Sequence, residues 1–483
     1  MIEELFRKKD INRIIAESAS SQNTLKRKLT ATNLITLGIG AIVGTGIFVI
    51  TGQAAAMYAG PALTISFVIS AIGCVMAGLC YAEFAAMIPV SGSVYSYSYT
   101  TMGEGFAWFI GWTLILEYLF ACSSVAVGWS GYMLSLFQGW GVQLPAALTQ
   151  PTFDHTDSGW VWTGSIINFP AVFIVILCST FLVGGIKQSA LINNIIVVIK
   201  VAVILLFIAF GISFIDTSNW KPYIPANTGH FGEYGLSGIL RGAATVFYAY
   251  LGFDALSTAA GEAKNPQKDM PRGILISLLI CAILYIAVTT VLTGIVNYKL
   301  LNVSAPIALA IDSAGEGLAW LSPFIKIGAI AGLSSVILVM MLGQSRIYYS
   351  ISNDGLLPRF FSKIHEKHGV PRNATIVACI ITSFFAGLFP LHVLSELVSI
   401  GTMMAFTIVC ISIMVLRKKQ PDLKRPFRTP WVPVIPLLGA FICVAQMLSM
   451  PWTTWVRLIG WTIVGFIIYF SYGLKHSKLG KGS

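Results

Sequence analysis

The chain has 483 residues, 56% of them hydrophobic and only 11% charged, with a formal net charge of +11 and a mean hydropathy of +0.78. Soluble domains carry about 25% charged residues, so this composition excludes an ordinary water-soluble protein and points to an all-α integral membrane protein. Nucleic-acid binding is not needed to explain the basic surplus, because its placement along the chain has another cause.

Apolar stretches near twenty residues long mark membrane helices. Twelve are expected here, roughly at 31–57, 61–88, 105–136, 166–184, 189–215, 236–260, 272–297, 317–345, 374–390, 393–416, 431–450 and 453–474. The polar segment 1–30 and the long first apolar run do not fit a cleavable signal. The connections are too short for a soluble catalytic domain.

Basic residues gather in every second connection, on one side of the membrane. Arg7, Lys8, Lys9, Arg13 and Lys26 to Lys28 precede the first span. Arg359, Lys363, Lys367 and Arg372 fall between spans 8 and 9, and Arg417 to Lys419, Lys424, Arg425 and Arg428 between spans 10 and 11. The opposite side carries Asp154, Asp157, Asp216 and Glu233. A positive-inside bias of this kind predicts a multi-pass protein of the cell membrane with both termini cytoplasmic, 1–30 and the tail 475–483 included.

Span 1 contains Gly38-Ile-Gly-Ala-Ile-Val-Gly-Thr-Gly-Ile-Phe48, and span 6 contains Phe247-Tyr-Ala-Tyr-Leu-Gly-Phe-Asp254. Broken helices at matching places in two halves point to a transporter's midplane site. In hydrocarbon, an unwound stretch persists only where it lines a cavity or meets a ligand. Unwinding over Ile42, Val43, Gly44, Thr45 and Gly46 exposes amide donors at a half-helix start, which suits a carboxylate. Unwinding from Ala249 to Gly252 frees carbonyls, which suit an ammonium group. Together they would receive a zwitterion such as an α-amino acid. Close packing through small-xxx-small patterns explains Gly40 to Gly44 alone, but not a second break five spans later.

Lys200 lies far from either end of span 5, and charges inside membranes are functional candidates by default. Arg241 and Lys326 are weaker candidates because they lie nearer span ends. Glu117 in span 3 is a candidate for coupling or gating. Asp254 invites a substrate role, but an aspartate that begins a half-helix is ordinarily a cap. Ser334 and Ser335 in span 8 have the hydroxyls of a sodium site, although Lys200 competes for that space. The wall formed by Gly332, Leu333, Leu251 and Val43 is apolar, so small or medium neutral substrates are expected. All eight cysteines fall within spans without metal-ligand spacing, and no Walker A loop is present. No cofactor and no metal are expected.

These stretches resemble the amino acid–polyamine–organocation (APC) superfamily, and within it bacterial members of the cationic amino acid transporter family. The resemblance is carried by Gly38 to Phe48, Phe247 to Ala255, Tyr81-Ala-Glu-Phe84, Pro89 to Tyr99, Gly111-Trp112, Leu116-Glu-Tyr118, Lys264 to Pro271 and Ser352 to Pro358. It implies two inverted five-helix repeats, 31–215 and 236–416, followed by two extra helices in 431–474. It implies alternating access, with backbone groups of Ile42, Thr45 and Gly46 on the substrate carboxylate. Carbonyls of Tyr248, Ala249 and Leu251 would take ammonium donors, and Phe253 would be a gate. Proton-coupled relatives carry a lysine at the position of Lys200. Ala260-Gly-Glu262 departs from the family's Ala-Glu-Glu. The expected function is a secondary active amino acid permease, with protons as coupling ion. An exchanger, a cationic amino acid carrier and a non-transporting membrane sensor are the alternatives; oligomeric state is open.

Overall fold

A computed structural model describes residues 5–8, 29–87, 93–156, 159–184, 190–258, 263–365 and 370–479. The Ala260-Gly-Glu262 departure, Pro89 to Gly92, Lys187, Lys367 and most of 1–30 and 480–483 lie outside the described residues. Seven helices are long and apolar enough to cross a membrane, and four shorter apolar helices accompany them among the described residues.

The chain enters through α1 (Ala31–Ile42), whose N-cap Thr30 accepts from the Asn33 amide. The helix stops at Val43, which is extended. It resumes as a π-turn over Gly46–Ile50, the short α2 (Thr51–Ala54) and a second π-turn over Ala55–Ala59. The break expected within span 31–57 therefore separates two half-helices. Next come α3 (Leu63–Met87), α4 (Ser93–Thr101) and the 36-residue α5 (Glu104–Gly139). A connection holding the hairpin of β1 (Phe153–Thr156) and β2 (Gly159–Trp162) leads to α6 (Phe169–Val183) and α7 (Ala190–Gly211).

Span 6 is likewise divided. Its first half, α8 (Gly235–Val246), tightens into a 3-10 turn over Phe247–Tyr250, and α9 (Phe253–Thr258) follows. Then come α10 (Pro266–Ile295), the short α11 (Pro306–Ser313) and α12 (Ser322–Asn353). The bundle closes with α13 (Arg372–Leu388), α14 (Leu391–Lys419), α15 (Val434–Leu448) and α16 (Trp452–Ile468). The hairpin, α4 and α11 were not expected from hydropathy, because they are too short or too polar to register as spans.

Position in the bundle follows from sidedness. The middle of α5 is predominantly apolar and wholly buried, as suits a helix at the centre of a bundle. It packs against α12 and α14, while α1 lies against α10, α7 and α9. The outer helices show apolar flanks instead, with Ile195, Val198 and Leu205 on α7, Leu279 and Ile283 on α10, and Phe441 on α15 all exposed. Uncovered apolar surface on this scale would be untenable in water and is normal against lipid. Trp140, Trp162, Trp431 and Trp452 are also exposed, as befits residues at membrane–water interfaces. Beside α1, Lys264 donates its amide to the Leu29 carbonyl at 2.8 Å. That bond ties the approach to α1 to the segment that follows α9.

Candidate functional site

The two breaks touch back to back. A Cβ built on Gly46 would lie 2.3 Å from the Ala249 Cα, and one on Gly252 would lie 2.6 Å from the Ala41 carbonyl oxygen. Gly252 also has φ +113°, a backbone region that only glycine enters at little cost. The glycines therefore permit direct backbone contact between the interrupted helices.

Each group freed by a break needs a partner, because an unpaired polar group in hydrocarbon costs several kcal/mol. At the end of α1, the Val43 amide donates to the Ile39 carbonyl at 2.8 Å. The Lys200 ammonium, reaching in from α7, donates to the Gly40 carbonyl at 3.0 Å and the Val43 carbonyl at 3.1 Å. The Tyr285 hydroxyl, from α10, lies 2.8 Å from the Ile42 carbonyl and 2.7 Å from the Ala249 carbonyl. One hydroxyl carries one proton, so it cannot fully satisfy both acceptors at once. In the second break, the Leu251 amide donates to the Tyr248 carbonyl, and the Gly252 amide donates to the Asp254 carboxylate at 3.2 Å. The Asp254 side chain thus reaches back over the start of α9.

What is left over faces the junction. The Thr45 hydroxyl is buried beside the Tyr248 hydroxyl without a hydrogen bond of normal geometry, and the amides of Gly44 and Thr45 find no backbone acceptor among the described residues. Ile42, Val43, Thr45, Tyr248, Ala249, Leu251, Phe253 and Leu333 are each at most 5% exposed, so the junction is shut off from water. Phe253 belongs to an aromatic cluster, its ring centroid 4.9 Å from Phe406 and 5.5 Å from Tyr81. The Tyr248 hydroxyl points toward the Ala121 carbonyl at 3.4 Å.

Several expectations change in detail. Lys200, set by the sequence in competition with Ser334 and Ser335 of span 8, bonds elsewhere. Both of its partners are in α1, and α12 instead accommodates its aliphatic stem, since a Cβ on Gly332 would lie 2.9 Å from the Lys200 Cγ. A permanent Lys200–Glu117 pair, the purely structural role open to this lysine, is not formed. Glu117 is buried on α5 with Oε1 unpartnered, and Asp254 is its electrostatic neighbour. The Ser334 hydroxyl is already engaged, donating to Ile330 at 2.8 Å and accepting from the Trp129 indole at 2.9 Å. Arg241 and Lys326 are held in ion pairs, with Glu396 at 3.0 Å and Asp312 at 2.9 Å. Tyr285 is absent from the residues singled out by sequence. Its signal is a hydroxyl deep in a span, which by the same logic as Lys200 asks for a buried partner.

Two half-helix pairs packed back to back in an apolar-sided bundle define a multi-pass integral membrane protein. The amino acid permease family model matches residues 29–470. A branched-chain amino acid permease of Bacillus subtilis is 46% identical over 98% of this chain and 99% of its own length. A methylthioribose transporter of the same organism is 46% identical over 99% of each. A vacuolar cationic amino acid transporter of Arabidopsis thaliana is 36% identical over 86% of this chain and 68% of its own length. The chain belongs to the amino acid permease family, as a bacterial member of the APC superfamily. It is a transporter-family protein and not an enzyme.

Proposed function

We propose that this chain is a secondary active permease that carries small or medium neutral amino acids together with protons. The observation that carries the reading is the junction of the two breaks: free amides and the Thr45 hydroxyl on one side, carbonyls on the other, and an ammonium from Lys200 seated on α1. Gly44, Thr45 and Gly46 receive the substrate carboxylate, with Ile42 beside them. Tyr248, Ala249 and Leu251 receive the amine, and Val43, Leu333 and Phe253 enclose the side chain. Loss of the Lys200 proton releases the Gly40 and Val43 carbonyls and loosens the end of α1. Twelve spans in two inverted repeats, 31–215 and 236–416, with 431–474 added, complete the architecture. Both termini lie in the cytoplasm.

Sequence identity does not choose the substrate, because the amino acid permease and the methylthioribose transporter are equally similar. Chemistry favours a zwitterion, since a thiosugar offers neither the anion for the amides nor the cation for the carbonyls. Cationic amino acid uptake is the second reading, supported by the buried Glu117 oxygen beside Asp254. An unpaired buried charge is expensive, and these two carboxyls are the groups that could pair with a guanidinium.

Uptake by proteoliposomes separates these readings. Labelled valine or alanine should accumulate when only an inward proton gradient is imposed. Arginine or methylthioribose displacing substrate far better than alanine, valine or threonine would overturn the neutral reading. Uptake unaffected by the gradient but dependent on internal amino acid would replace symport by exchange.

A further inference from the structure

A cleft of about 500 Å³ opens between α6 and α13, away from the junction of the breaks. This is within the range of about 300–1,000 Å³ typical of small-molecule sites. Its sides are apolar, and Ile176, Ile376 and Ile380 are exposed along them. One end is different. There the cleft is lined by His365, Thr180, Gly184 and Arg372. Arg372 is exposed and makes no ion pair among the described residues. It is also the first residue of α13, whose N-cap Pro371 supplies no side-chain cap, so the positive end of that helix faces the same place. Asn373 holds the preceding segment by donating to the Phe360 carbonyl at 3.3 Å.

An apolar trough open sideways, with a guanidinium that has no ion pair among the described residues and a helix start without a side-chain cap at one end, matches an amphiphile with an anionic head. A free phosphate would use only the charged end and leave the trough empty. Basic pockets between membrane helices on the cytoplasmic side are where anionic headgroups settle, and the charge distribution proposed above puts Arg372 on that side. We propose that this cleft holds one anionic phospholipid of the cytoplasmic leaflet. Its phosphate sits on the Arg372 guanidinium, and an acyl chain runs along Ile176, Ile376 and Ile380. Because α13 also packs against α5 and α12, the lipid braces the helices that carry Glu117 and Leu333. It does so without touching the substrate.

Delipidated protein in detergent, followed by native mass spectrometry and thermal melting, tests this. The probes are phosphatidylglycerol, phosphatidylcholine with the same chains, and soluble glycerol phosphate. Phosphatidylglycerol should bind most tightly and raise the melting temperature. Arg372→Gln should weaken that binding at least about tenfold, as for loss of one charge-assisted hydrogen bond, and leave phosphatidylcholine unchanged. Ile380→Trp, which fills the trough and leaves the charge, should weaken phosphatidylglycerol as well, and serves if the arginine variant does not fold. Unchanged phosphatidylglycerol binding in either variant overturns the proposal. So does equal stabilisation by glycerol phosphate, which would identify a soluble-anion site. The site rests on the proposed orientation only for the choice of leaflet. Impermeant thiol labelling of Asn373→Cys from outside intact cells would overturn the orientation while detergent binding persisted.

Discussion

Lys200 is held by two carbonyls and no carboxylate, which sharpens what its removal should do. Lys200→Ala leaves the Gly40 and Val43 carbonyls unpaired, at a cost of about 1–3 kcal/mol each, so some loss of stability is expected under any reading. The decisive measurement is functional. Under proton coupling, purified Lys200→Ala should retain substrate counterflow and lose accumulation driven by a proton gradient alone. Accumulation that persists removes Lys200 as the coupling site. Tyr285→Phe takes away the donor shared by Ile42 and Ala249. It should lower stability by about 1–3 kcal/mol and change apparent amine affinity, read by thermal melting and competition binding. The glycines are not equivalent. A side chain on Gly46 meets the Ala249 backbone, whereas one on Gly44 meets only the Val336 side chain at 3.2 Å. Gly44→Ala should therefore fold and lose affinity, and Gly46→Val should fail to fold rather than give a stable, silent carrier. The breaks were legible in the sequence because glycine weakens a helix: Gly38, Gly40, Gly44 and Gly46 cluster in span 1, and Gly252 sits at the matching place in span 6. Lys200 was legible because a mid-span charge is rare. Tyr285 was not, because a lone tyrosine in a span reads as packing until its hydroxyl's partners are known.

Single spans are joined by buried ionic knots that periodicity cannot reveal. The Glu396 carboxylate on α14 accepts from Arg241 of α8 at 3.0 Å and from Thr454 of α16 at 2.6 Å, with Arg457 of α16 at 3.6 Å. Arg241 also lies over the Tyr58 ring. Three elements distant in sequence thus meet at one carboxylate. Removing one member of a buried pair costs about 3–5 kcal/mol, so Glu396→Gln should lower the melting temperature clearly more than Thr454→Val, which removes one neutral donor. Equal effects would mean that the ion pairs contribute little. At the opposite end of α14, Glu83 of α3, wholly buried, is gripped by Arg417 at 2.7 Å and by the Thr429 amide at 2.7 Å. The hydropathy reading placed Arg241 near a span end and so ranked it low. The structure gives it a partner that lies 155 residues away in the chain.

For the molecule as a whole, helix limits were legible where apolar runs were long. Span 3 was expected at 105–136 and forms at Glu104–Gly139; span 10 was expected at 393–416 and forms at Leu391–Lys419. The polar pieces between spans were not. Helix α4, rich in serine and tyrosine, and the hairpin of β1 and β2 are set by tertiary surroundings rather than by their own hydropathy.

The bond between the Lys264 amide and the Leu29 carbonyl bears on how fast the carrier turns over. It fastens the segment that leads into α1 to the segment that follows α9. Either segment can swing outward alone only after this bond has broken; otherwise both must swing together. Lys264→Pro deletes the donor and should raise the open population about two- to thirteenfold, as expected for a net bond of about 0.5–1.5 kcal/mol. Spin labels or fluorophores on the two segments would read that shift. Substrate affinity in the closed form should be unaltered; under the proposed transport cycle the tether sets dwell time and leaves selectivity to the breaks.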